Sequence, residues 1–145
     1  MPERWSIPDG ERPEREFELL VEAVRLLAHD LNCHLSRAIA LTTCRDTDGF
    51  PFVHVEHRDY PWSQDLWLIA DASQAKTTVL LANELLQSTL FEDYETPWPP
   101  CPLHPSSSHS LKPVARGQGG VWICPLSRKT IASIGDLPAL KHQAD

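Results

Sequence analysis

The N-terminal third of the chain carries apolar residues at three- and four-residue spacing. From Pro13 onward the repeat forms a single stripe made of Phe17, Leu20, Val21, Val24, Leu27, Ala28 and Leu31. This period predicts an amphipathic helix with one buried face. Acidic side chains in its first turns suit the positive end of the helix dipole. Residues 1–12, rich in charge and proline, are predicted to form a loose arm.

The next segment changes to shorter apolar runs that are typical of strands. Residues 34–44 and 51–57 are predicted to form a hairpin, because Asp46 and Gly49 between them favour a turn. The apolar run 66–70 predicts a third, buried strand.

A second helix is predicted to follow and to reach about Phe91. Asp71 and Gln74 have the spacing of a capping box at its start. Its inner side would carry Val79, Ala82, Leu85, Leu86 and Leu90. We therefore expect an α+β body over 13–96, in which a small antiparallel sheet packs with two helices.

Four prolines between Pro97 and Pro102 cannot continue a helix and indicate a boundary. The remainder, 97–145, is predicted to be a tail built on a β-hairpin, because apolar and β-branched residues flank the glycines at 117–120. Residues 129–135 could add a third short strand.

Cysteine and histidine are concentrated in this tail. Cys101 and His104 have the Cys-x-x-His spacing with which a tight turn presents two ligands to one ion. Cys124 follows twenty residues after His104 and is again followed by proline. The hairpin would bring Cys124 back beside Cys101, so the spacing predicts one structural zinc ion.

Two Cys-Pro turns joined by a β-hairpin resemble a zinc ribbon over residues 98–137. The ribbon pattern implies a second ligand three residues after Cys124, but that position is Ser127. His109 is the nearest candidate for the fourth ligand, and His142 is a weaker one. Either His109 closes the tetrahedron, or the site keeps an open position.

An open zinc site could activate water, and a metal-dependent hydrolase is therefore an alternative. Such a site needs a general base, and the chain from 101 onward offers only Asp136 and Asp145. Neither H-E-x-x-H nor a deaminase motif occurs. A structural zinc is favoured, and the absence of any metal is the second hypothesis.

Charge and composition narrow the function classes. The 145 residues have a formal net charge of −7, with 41% apolar residues and four cysteines. We see no long apolar run and no secretory signal, so we expect a cytoplasmic, soluble protein with reduced thiols and no membrane partner. The acidic body disfavours nucleic acid as a partner, although a basic tail with Lys112, Arg116, Arg128 and Lys129 keeps a nucleic-acid-associated regulator as an alternative.

Other candidates are weaker. His54 and Glu56 would share one strand face and His57 the opposite one, so they would not converge on a metal. Trp67 and Trp122 are predicted to lie in the core. Trp62 and Trp98 are predicted to pin loops, with a recognition patch as the alternative. The sequence thus indicates a small zinc protein, with Cys101, His104, His109 and Cys124 as ligands. Its expected role is that of a non-enzymatic interaction or adaptor module for an unknown protein partner.

Overall fold

A computed structural model of the chain describes residues 12–35, 39–58, 63–68, 73–87, 98–104 and 109–138. The elements run in the order α1 (Arg12–Leu35), β1 (Ile39–Arg45), β2 (Pro51–His57), β3 (Ser63–Leu66), α2 (Gln74–Gln87), β4 (Lys112–Arg116), β5 (Gly119–Ile123) and β6 (Thr130–Ser133). The strands form two antiparallel three-stranded sheets, β1-β2-β3 and β4-β5-β6. The fold is therefore α+β, as predicted, with one three-stranded sheet after α1 and a second one built on the C-terminal hairpin.

Helix α1 buries most of the stripe that the sequence predicts. Leu20, Leu27 and Leu31 are almost fully buried, whereas Val21 is 42% exposed and lies off the buried face. The helix also continues to Leu35, so the prediction that a strand begins at 34 is wrong. No proline or glycine occurs between Glu14 and Ser36 to stop it.

The first sheet confirms the predicted hairpin of β1 and β2, which pair with Leu41 opposite Val55. The Asp46 carboxylate stabilises the turn by accepting hydrogen bonds from the amides of Asp48 and Phe50, both at 2.9 Å. Helix α1 packs against β1 and β2.

The third strand differs from its prediction. It spans Ser63–Leu66, and residues 69–70 of the predicted strand lie outside the described part of the chain. Leu66 is buried, so the next residue, Trp67, points to the opposite face of the sheet. Trp67 is 57% exposed and stacks on Phe52, and its assignment to the core was wrong.

Helix α2 begins one residue after Ser73, which caps it. The Ser73 hydroxyl accepts a hydrogen bond from the Lys76 amide at 3.1 Å, and the Ser73 carbonyl accepts one from the Thr77 amide. The predicted capping box needs Gln74 at the third helical position, whereas Gln74 is the first residue of α2. Its side chain donates to the Leu19 carbonyl at 2.8 Å and so joins α2 to α1. Asp71 and residues 88–91 lie outside the described residues.

The second sheet confirms the predicted hairpin and the third strand after it. Pairing of Arg116 with Gly119 closes β4 on β5, and β6 pairs along the other side of β5. Helix α2 packs against β4 and β5.

Both sheets contribute to the same hydrophobic cluster. Trp122 and Leu111 from the C-terminal segment join Leu20, Val53 and Leu81 there, all of them buried. The division of the chain at 97 into body and tail stays a prediction. Within the described residues, no helix is long and apolar enough to cross a membrane.

Asp30 connects α1 to the C-terminal segment through three hydrogen bonds, two of them buried. Its carboxylate, fully buried, accepts from the Trp122 indole at 2.8 Å and from the amides of Gly135 and Leu137 at 2.7 and 3.0 Å. Since each donor lies about a hundred residues along the chain from Asp30, these hydrogen bonds join α1 to the segment that contains the second sheet.

Candidate metal centre

A closed loop carries three of the four predicted ligands. Pro100 and Ser110 form a β-bridge, and the Leu111 amide donates to the Pro99 carbonyl at 2.8 Å. In this antiparallel arrangement, Cys101 and His109 are the residues just inside the bridge and therefore lie opposite each other. His104 follows in a turn in which its amide donates to the Cys101 carbonyl at 3.3 Å.

The β4-β5 hairpin supplies the fourth residue. Its register pairs Lys112 with Ile123, so the next position along places Leu111 opposite Cys124. Leu111 directly follows the bridge that closes the loop. The hairpin and the bridge together therefore bring Cys124 to the loop that holds Cys101, His104 and His109.

The four side chains converge on one point. Their ligand atoms all lie within 4.8 Å of one another. His104 Nδ1 lies 3.6 Å from Cys101 Sγ and 3.5 Å from Cys124 Sγ, and His109 Nε2 lies 3.7 Å from Cys124 Sγ. These four residues form a group that could hold a metal ion.

These separations agree with tetrahedral coordination. With metal–sulfur and metal–nitrogen bonds of about 2.3 and 2.0–2.1 Å, neighbouring donors of a tetrahedral zinc site are about 3.4–3.8 Å apart. All three sulfur–nitrogen distances fall in this range.

The contacts of His104 are of the kind that a shared metal ion would produce. One ring nitrogen, His104 Nδ1, faces two sulfur atoms at nearly equal distance. A single N–H can point well at only one of them. A metal ion between the donors could contact both sulfurs and the ring nitrogen together.

Backbone hydrogen bonds of the turn after β5 fix the position of Cys124. The Arg128 amide donates to the Cys124 carbonyl at 2.7 Å, and the Cys124 amide donates to the Lys129 carbonyl at 2.9 Å. Arg128 closes the turn with a φ of 64°. Ser127, which the ribbon pattern would replace with a ligand, donates its amide to Cys124 Sγ at 3.5 Å.

The same turn favours the ionised form of the thiol. Burial opposes ionisation, but hydrogen bonds from Ser127, from the backbone of Leu126 and from Cys101 lower the pKa of Cys124 to about 5. A thiolate is the form in which cysteine binds metal.

Burial distinguishes the sulfur side of the centre from the imidazole side. Cys101 and Cys124 are 3% and 0% exposed and belong to the hydrophobic cluster, whereas the two histidines are half-buried. Trp98 is buried nearby and meets Trp122 edge to face at 5.6 Å between ring centroids. These contacts agree with the predicted roles of Trp98 in pinning its loop and of Trp122 in the core.

The other sequence candidates do not join the centre. His54 Nδ1 lies 2.7 Å from Asp65 Oδ1 across β2 and β3, while His57 is buried on the opposite face. Cys44 is a free cysteine outside the group, and no second cluster of potential ligands occurs among the described residues. His142 and Trp62 lie outside the described ranges, as does the side chain of Cys33.

No family model, curated protein or solved structure matches the chain. The likeness of residues 98–137 to a zinc ribbon therefore stays a resemblance carried by their own residues.

Proposed function

We propose that the protein binds one zinc ion through Cys101, His104, His109 and Cys124, and that the ion is structural. The observation that carries this proposal is the convergence of four ligand atoms within 4.8 Å, two of them on buried thiols. Two thiolates and two imidazoles are a donor set that zinc prefers.

A structural role is favoured over hydrolysis because the donor set is complete. His109 supplies the fourth donor, which leaves no position for an activated water. The group contains no carboxylate that could act as a general base. Both sulfurs also lie in the core, away from any substrate in solvent.

The role that follows is that of a non-enzymatic interaction or adaptor module. Zinc would hold the loop 98–111 against the β4-β5 hairpin and so fix the surface that this region presents. Because zinc binding requires reduced thiols, the cytoplasm is the compartment that suits it.

Elemental analysis of the purified protein tests this proposal. We expect one equivalent of zinc in the wild type and its loss in Cys124→Ser, because serine does not replace a thiolate ligand. Cys44→Ser is the matched control, since Cys44 is a free cysteine outside the group, and it should keep the zinc. A wild type without metal, or full retention in Cys124→Ser, would contradict the proposal.

A second pair of variants tests whether the site is closed. His109→Ala should lower zinc affinity by tenfold or more, about 1.4 kcal/mol at least, whereas His142→Ala should leave it unchanged. The reverse result would make His142 the fourth ligand. No effect of either variant would indicate a site with three protein ligands.

A further inference from the structure

The two turns that hold the cysteines share the sequence Cys-Pro-Leu. We call residues 101–104 the first knuckle and residues 124–129 the second knuckle. In each, the leucine two positions after the cysteine is turned outward, Leu103 at 44% and Leu126 at 67% exposure. Two of the five large apolar side chains exposed in the described part of the chain therefore occupy equivalent places beside the candidate metal.

Positive charge accompanies these leucines. Arg128 and Lys129 lie in the second knuckle, and Lys112 starts β4 at the same end of the sheet, opposite Ile123. All three are exposed, and none forms an ion pair with another described residue. The only acidic residue in 98–104 and 109–138 is Asp136, in a chain whose net charge is −7.

From these observations we infer that Leu103, Leu126, Lys112, Arg128 and Lys129 form a docking surface, the knuckle surface, for a partner segment that is acidic and carries apolar anchors. The inference rests on the proposed zinc site, because the ion joins the two knuckles and so fixes the spacing of the two leucines. A surface fixed before binding loses less conformational entropy when the partner docks.

Charge complementarity and side-chain type both favour a protein segment over nucleic acid. The leucines would enter apolar contacts, and the cations would steer and orient carboxylates. Single-stranded nucleic acid is bound mainly by aromatic stacking and by many phosphate contacts. The knuckle surface contains no aromatic residue, and the acidic body would repel a long phosphodiester chain.

Selection from a displayed library of short random peptides on the zinc-loaded protein tests this inference. We expect the selected peptides to combine Asp or Glu with Leu, Ile or Phe. Failure to select such peptides on protein that contains one equivalent of zinc would overturn the inference and leave the zinc proposal intact. Absence of zinc from the protein would overturn the zinc proposal. It would also overturn the inference of a knuckle surface, because that surface depends on the ion joining the two knuckles.

Variants then locate the binding surface, with one selected peptide and fluorescence anisotropy as the readout. Leu126→Ser and Leu103→Ser should each raise Kd about tenfold, and Lys129→Gln should weaken binding most at low salt. Val21→Ser and Lys76→Gln change an exposed apolar and an exposed basic residue on the helices, and should leave Kd unchanged. Zinc content, measured for every variant, shows that the centre is intact.

Two results would refute this surface. One is peptide affinity that is insensitive to both leucine variants. The other is tight binding of a single-stranded oligonucleotide that Lys129→Gln abolishes and the leucine variants spare. Removal of zinc by a chelator should abolish peptide binding, and undiminished binding by the metal-free protein would contradict the coupling to the ion.

Discussion

Asp30 shows how much of the architecture depends on one side chain. It is a fully buried carboxylate that accepts hydrogen bonds from Trp122, Gly135 and Leu137. A buried charge is tolerated only when such donors surround it. The sequence gives one indication that Asp30 is buried, because it lies three residues after Leu27 and next to Leu31, at the edge of the apolar stripe. The identity of its distant donors is not contained in local sequence.

Replacement of Asp30 should destabilise the fold strongly. Asp30→Ala would leave three donors without their acceptor, two of them buried, and we expect the free energy of unfolding to fall by about 3 kcal/mol. Urea denaturation measures this change. Asp136, an exposed aspartate in the C-terminal segment, provides the control. Asp136→Ala should change the free energy of unfolding by less than about 0.5 kcal/mol. Equal effects of the two variants would contradict the role of Asp30.

The thiol of Cys124 should titrate at unusually low pH in the metal-free protein. Its hydrogen bonds lower its pKa to about 5, against an ordinary value of about 8.5. The folded state therefore gains stability from the thiolate above about pH 8.5, and loses that contribution as pH falls toward about 5. The ultraviolet absorbance of the thiolate, taken as the difference between wild type and Cys124→Ser, follows this titration. A midpoint near the ordinary value would contradict the assignment.

At the scale of elements, periodicity predicted most of what the chain forms. The helices, the β1-β2 hairpin and the C-terminal hairpin follow from spacing and turn residues. The errors concern one helix end and one side-chain face. Helix α1 continues to Leu35 because no proline or glycine stops it, and Trp67 lies outside the core because it points away from the face on which Leu66 is buried. An apolar run as short as 66–70 does not reveal which face it will bury.

The turn after β6 depends on glycine at 135. Its φ is +97°, and a Cβ there would clash with the side chain of Leu26 on α1. Gly135→Ala should therefore lower the free energy of unfolding by about 1–3 kcal/mol. Gly119→Ala is the matched control, because a Cβ there meets nothing within 4 Å and the backbone is not strained, so stability should change by less than about 1 kcal/mol. Thermal denaturation of both variants would show whether they differ.

At the scale of the whole molecule, the sequence predicted a boundary at 97 from the run of prolines. In the structure, Trp122, Leu111 and the two cysteines of the centre share one cluster with the helices and the first sheet. Proline indicates that a helix ends, but it does not indicate whether the following chain packs on the preceding one. That outcome depends on long-range contacts such as those of Asp30, which no local pattern encodes.

A shared core should make unfolding cooperative across residue 97. We expect far-ultraviolet circular dichroism, which follows the helices, and tryptophan fluorescence to report one coincident transition in urea. Trp98→Phe and Trp122→Phe would assign the fluorescence change to the C-terminal segment. Two separate transitions would instead support an independent tail.

The grouping of Cys101, His104, His109 and Cys124 was predictable because they are close in sequence and a hairpin signal lies between them. The geometry was not, since it depends on the Pro100–Ser110 bridge and on the register of β4 with β5.

X-ray absorption spectroscopy at the zinc edge tests the central claim most directly. It should show two sulfur neighbours at about 2.3 Å and two imidazole nitrogens at about 2.0–2.1 Å in the wild type. A shell of light atoms without sulfur, or a single imidazole accompanied by a water oxygen, would contradict a closed centre made by these four residues.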